Sequence, residues 1–142
     1  MKNLSIEKEI LINAKPSVVF EALTNSEKII QYLPLKEVVS DWKVGDEVLY
    51  KGELEGIPFT DFGTIDILEP NEKFQYTYWS TNHGTERLPE NHLTICYTIS
   101  SSENGTLLKV EHTNFKSEEM HAVMLNVWDF LLGSLKGFTE KS

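Results

Sequence analysis

His112 and a set of aromatic side chains are the residues of this sequence best suited to chemistry. In the run 106–115, His112 alternates with Leu108 and Val110, so its imidazole shares their inward face. A histidine among apolar neighbours suits acid–base work or the orienting of a ligand. It suits a hydrogen-bonded core position better, since no Asp or Glu at an adjoining inward position is evident to orient the ring. Phe74, Tyr76 and Tyr78 fall on one face of another run, with Trp79 on the opposite face. Together with Tyr50, Phe62, Tyr97 and Trp128 they either line a cavity, rings giving contact area and hydroxyls orienting a ligand, or are simply core. Met124 adds a flexible thioether that adapts to irregular shapes.

The remaining reactive residue types form no complete catalytic set, and no catalytic residue is assigned. Cys96 faces opposite Leu93, Ile95 and Tyr97, with nothing nearby in sequence to lower its pKa, and reads as structural. His83 and His92 flank a loop and His121 begins a helix; without a His-x-x-x-His or Cys-x-x-Cys spacing, a zinc site has no support. Asp66, between Ile65 and Ile67, marks an outward face. Glu86 and Arg87 could grip a polar headgroup, although an exposed ion pair is the simpler account. Neither a Gly-rich phosphate cradle nor a Gly-x-Ser-x-Gly elbow occurs, so covalent catalysis, metals and cofactors are all without a sequence signal.

The elements that position these residues follow from periodicity. Ile6, Ile10 and Ile12 keep a period of two, interrupted by Lys8, which predicts a first strand. Pro16 suits the first position of a short helix carrying Val18, Val19, Ala22 and Leu23; Ser26 is expected to cap a second, which Pro34 ends. Six strands are then expected over 37–41, 46–54, 61–68, 72–80, 92–101 and 106–115. Gly45, Pro70-Asn71 and Asn104-Gly105 supply turns between them, and residues 81–91 form a long loop. Ser117 is placed to cap a final helix in which Met120, Val123, Met124, Val127, Leu131, Leu135 and Phe138 form a buried stripe, widened by Trp128 and Leu132. The expected fold is α+β: a curved antiparallel sheet of about seven strands wrapped around a long C-terminal helix, with a gap between them.

Composition bounds the function. The 142 residues are the size of one domain, 1–142, with 40% hydrophobic and 25% charged residues, as in folded globular proteins. A net charge of -9, from 13 basic and 22 acidic residues, repels phosphate backbones and anionic lipid surfaces, so neither nucleic acid nor membrane insertion is expected. One cysteine and an N-terminus broken by charges point to a reducing, cytoplasmic setting. Monomer and homodimer both remain open.

The segment Ile12-Asn13-Ala14-Lys15-Pro16-Ser17-Val18-Val19-Phe20-Glu21-Ala22-Leu23-Thr24 resembles the helix-grip superfamily of START and Bet v-like domains. So do Lys43-Val44-Gly45-Asp46, the run from Gly63 to Phe74 with its Glu69-Pro70-Asn71 turn, and the stretch Trp128 to Leu135. Within that superfamily the chain is similar to the C-terminal domain of the activator of heat-shock protein 90 ATPase, over nearly its whole length. The resemblance implies a cavity for an apolar or aromatic small molecule, or a surface that docks on a chaperone; it implies no single reaction. Three readings follow. The first is a non-enzymatic binder of a hydrophobic molecule, with specificity set by Tyr76, Tyr78, His112, Met124 and Trp128. The second is a chaperone or stress-response interaction module. The third is a cyclase- or hydrolase-like enzyme that needs His112 within hydrogen-bond reach of a tyrosine.

Overall fold

The computed structural model describes residues 4–81 and 83–141. Strand β1 (Leu4–Ile12) leads into helices α1 (Pro16–Leu23) and α2 (Ser26–Tyr32), which form an elbow. Strands β2 (Leu35–Val39), β3 (Glu47–Leu54), β4 (Ile57–Glu69), β5 (Lys73–Ser80), β6 (Leu93–Ser102) and β7 (Gly105–Phe115) follow. Helix α3 (Glu118–Glu140) ends the described chain. The strands form one antiparallel sheet in the order β1-β7-β6-β5-β4-β3-β2. Successive strands from β2 to β7 are neighbours because each is joined to the next by a short turn or a folded loop.

Turn chemistry holds this meander in register. Asn71 (φ 63°) and Gly105 (φ 145°) adopt the backbone angles their positions require. A Cβ on Gly105 would lie 2.3 Å from the Ile12 carbonyl oxygen, so only glycine lets the β6–β7 turn sit against the end of β1. Glu55 (φ 52°) and Gly56 (φ 83°) form the β3–β4 hairpin turn, from which β4 begins at Ile57, four residues before the expected strand start at Asp61. The first capping expectation changes as well. Asn25 caps α2 by accepting from the Lys28 backbone N–H at 3.1 Å, while the Ser26 hydroxyl instead accepts from Trp42 Nε1 at 3.0 Å. Ser117 caps α3 as its sequence predicts, accepting from Met120 N–H at 3.0 Å.

Helix α3 lies along β1 and is tied to it at intervals. His121 Nε2 donates to the Ser5 carbonyl (2.8 Å), Lys8 pairs with Asp129 (2.6 Å), and Lys136 Nζ donates to the Leu11 carbonyl (2.8 Å). Lys8, a charge on an inward-facing strand position, therefore reaches out from under the helix instead of interrupting the core. The buried side of α3 is Trp128, Leu132, Leu135 and Thr139. Val123 is 54% exposed, outside the expected stripe, because the helix turns Met120, Met124 and Leu131 inward as flanks of the Trp128 line.

Residues 83–91 fold back over the convex face of the sheet. Trp79 Nε1 donates to Thr85 Oγ1 (3.1 Å), and the Arg87 guanidinium sits 4.3 Å from the Phe62 ring centre while pairing with Glu47 (3.4 Å). Arg87 thus pairs across to β3 and not with its sequence neighbour Glu86.

Candidate functional site

The concave face is built by parity. On β5 the inward residues are Phe74, Tyr76, Tyr78 and Ser80; on β7 they are Thr106, Leu108, Val110 and His112. At Asn114, with φ 74°, the register of β1 against β7 shifts, and Phe115 turns inward where strict alternation would place Asn114. Phe115 then stacks 4.4 Å from the His112 ring. Tyr50 on β3 and Tyr97 on β6 complete the wall, the latter meeting Trp128 edge-on at 6.0 Å.

Contacts at 5.7 Å (Tyr50–Tyr76), 6.0 Å (Tyr76–Tyr78), 5.7 Å (Tyr78–His112) and 5.8 Å (His112–Trp128) make a continuous band of rings. Gly63 on β4 leaves room for it: a Cβ there would approach the Tyr76 ring to 3.2 Å.

His112 is fully buried and doubly bonded. Trp128 Nε1 donates to its Nδ1 at 2.9 Å, and its Nε2 lies 3.0 Å from the Tyr78 hydroxyl. An indole N–H can only donate, so Nδ1 must be an acceptor and the ring proton sits on Nε2, donating to Tyr78. That arrangement requires a neutral imidazole. Burial is the main reason its pKa falls to about 3, with His83 and His121 adding a smaller effect. The Tyr78 hydroxyl, accepting from His112, has its own proton turned away from the histidine. His112 and a tyrosine are therefore within hydrogen-bond reach, but in this state the histidine gives a proton to the bond and orients Tyr78; it does not act as a base toward it.

Of the nine residues picked out in the sequence, eight are brought together. Tyr50, Phe74, Tyr76, Tyr78, Tyr97, His112 and Trp128 share the concave space, and Met124 packs at its edge from α3. Phe62 is the exception. It points to the convex face, stacked 6.2 Å from Trp79 and under Arg87, because its parity on β4 is that of Thr64 and Asp66, opposite to Gly63 and Ile65.

One residue not singled out in the sequence, Asp61, stands on the concave side. It pairs in register with Tyr50 and Ser80. Burial raises its pKa to about 6, against a hydrogen bond from Ser80 that lowers it. Its parity with Gly63 and Ile65 is the signal that reveals it. Burial also raises the phenol pKa values of Tyr32, Tyr50, Tyr76, Tyr78 and Tyr97, and each of the first four lies close enough to feel the charge of another of these groups.

Little of this space is empty. A small, partly open pocket of about 30 Å³ lies between the elbow and α3, walled by Leu23, Tyr32 and Leu33 on one side and Tyr97, Trp128, Leu131, Leu132 and Leu135 on the other. Among the described residues, no cluster of three or more His, Cys, Asp or Glu could hold a metal, and no helix is long and apolar enough to cross a membrane.

A seven-stranded sheet closed by one long helix over an inward ring-lined face defines a helix-grip domain. The chain belongs to the family described as activator of Hsp90 ATPase homolog 1-like protein, whose model matches residues 13–140. Its fold is similar to the solution structure of a Cytophaga hutchinsonii protein, with 32% identity, a TM-score of 0.85, and coverage of 99% of this chain and 97% of that one. It is similar also to a Staphylococcus aureus protein of unknown function (18% identity, TM-score 0.82, 99% and 95% covered). A third likeness is to Ara h 8.0201 (13% identity, TM-score 0.80, 99% and 100% covered). No curated protein sequence matches the chain significantly.

Proposed function

We propose that the chain is a non-catalytic binding protein for an apolar or aromatic small molecule, held between the concave sheet face and α3. Tyr76, Tyr78, His112, Met124 and Trp128 set its specificity. The observation that carries this reading is the Trp128–His112–Tyr78 chain. The Trp128 indole N–H fixes one imidazole tautomer, His112 Nε2–H then donates to the Tyr78 oxygen, and the result is a held phenol inside a ring-lined space, the handle a mostly apolar ligand needs for one polar atom.

The form described is closed. Its cavity of about 30 Å³ holds roughly one or two waters, whereas sites for drug-sized ligands occupy about 300–1,000 Å³. Binding a larger molecule therefore parts the α1–α2 elbow from α3. The junction there is apolar, with Tyr32 against Phe138 at 5.2 Å and Leu33 facing Leu131 and Leu135 across the cavity, so it opens without breaking an ion pair.

Trp128 sits at the centre of this movement, and its fluorescence reports it. Adding members of a lipid and aromatic panel is expected to shift the emission of the wild type and raise its melting temperature, with the emission shift lost in Trp128→Phe. A panel that leaves both emission and melting temperature unchanged counts against the reading.

A further inference from the structure

Asp61 is a carboxyl group on the inside of an aromatic wall, and no Lys or Arg among the described residues pairs with it. Its neighbours in register are Tyr50 and Ser80. From Tyr50, opposite Asp61, the rings continue to Tyr76 at 5.7 Å and from there to Tyr78 at 6.0 Å, on the same concave face. Among the described residues none of the Lys and Arg ion pairs involves Asp61. The basic group at the same end of the sheet, His83, lies over Tyr78 with ring centres 5.5 Å apart. Its Nδ1 accepts from the Ser80 backbone N–H at 3.3 Å. Burial lowers its pKa, with His92 adding to the effect, which works against its serving as the cation for Asp61.

Carboxylates are seldom taken out of water without a partner, because the desolvation is not repaid. Ser80 repays part of it through one hydrogen bond. The carboxyl shares its face of the sheet with electron-rich rings, which themselves attract cations over their faces, in a protein whose net charge of -9 draws cations toward it. Asp61 is only part-buried, so an incoming group reaches it without unfolding the sheet.

From the placement of Asp61 among Tyr50, Tyr76 and Tyr78 we infer that the ligand is an apolar or aromatic molecule bearing a protonated amine, with Asp61 as its counter-ion and the three rings as its cage. This deepens the binding reading and rests on it. A neutral apolar ligand would leave the carboxyl without a counter-ion, and an anionic one would be repelled.

Three probes of one shape separate the cases: 1-naphthylmethylamine, 1-naphthalenemethanol and 1-naphthoic acid, each titrated into the wild-type protein and Asp61→Asn near neutral pH. The amine is expected to bind about tenfold or more tightly than the alcohol, with the acid weakest, and Asp61→Asn to bring the amine-to-alcohol ratio close to one. Asp61→Asn is nearly isosteric and removes a half-buried charge, so it should fold. The wild type gives a second readout that needs no variant: added salt weakens the amine and leaves the alcohol in place. Equal binding of amine and alcohol by the wild type, or an amine preference that survives Asp61→Asn, overturns the inference while the binding reading stands. If none of the three probes binds, both fall together.

Discussion

His112→Ala is expected to lose about 3–5 kcal/mol of folding stability, the largest single-residue effect on this face. Two costs add. The imidazole fills a space between Phe115 at 4.4 Å, Tyr78 at 5.7 Å and Trp128 at 5.8 Å, and alanine leaves that volume empty. The second cost is polar: the Trp128 indole N–H, with its acceptor removed, stays buried and unpaired. His112→Phe separates the two terms, since it refills the volume and restores no acceptor; its expected loss is about 1–3 kcal/mol. Urea unfolding followed by circular dichroism measures both. A His112→Phe protein as stable as the wild type would mean that the Trp128–His112–Tyr78 chain contributes nothing net and that His112 is only filler.

The second large effect is a pair of opposed pH dependences. His112 has a folded pKa of about 3, below its ordinary 6.5. Below pH 6.5 the unfolded chain takes up a proton that the folded one refuses, so this group's stability is complete above 6.5 and is lost as pH falls toward 3. Between pH 6.5 and 4 that amounts to roughly 3 kcal/mol.

Asp61 runs the other way, with a folded pKa of about 6 against an ordinary 3.8. Between these values the folded chain holds the extra proton, so this group destabilises the fold above pH 6 and the penalty is relieved as pH falls to 4. For a part-exposed carboxyl the effect is about 1–2 kcal/mol after solvent screening.

In the wild type the two contributions offset each other between pH 4 and 6. Asp61→Asn is expected to lose stability more steeply than the wild type on acidification over that window. His112→Phe is expected to lose it less steeply. Unfolding free energies of the three proteins at pH 7.5, 6, 5 and 4 give the comparison, and parallel curves would show that neither group is buried as described.

Much of the fold was legible because it rests on local rules. Alternation gave the strands, Asn104-Gly105 and Pro70-Asn71 gave two turns, and His112 faced inward by counting from Leu108. What escaped did so for identifiable reasons. The sequence pattern begins the strand at Asp61, where alternation has no preceding residue to set a face; β4 in fact starts at Ile57, and the longer strand gives Asp61 the parity of Gly63 and Ile65. Phe62 matches the inward rings in residue type alone, and the same parity turns it outward against Trp79 and Arg87.

Phe115 is inward only because of the bulge at Asn114, whose φ of 74° no alternation rule anticipates. The partners of His112 come from β5 and α3, separated from it by 34 and 16 residues. Periodicity can place each of them inward but cannot bring their atoms within 3 Å. The fill of the cavity depends on how rings from four strands interlock, which has no sequence signature at all.

Native mass spectrometry of the protein isolated from its own cells without denaturation tests the binding reading most directly, since a tightly held apolar ligand survives gentle purification. The account predicts a complex heavier than the chain alone, from which denaturation releases a small molecule, and the inference at Asp61 adds that this molecule carries a basic nitrogen. A mass equal to the chain alone, unchanged after incubation with an excess of apolar and aromatic compounds, would contradict it.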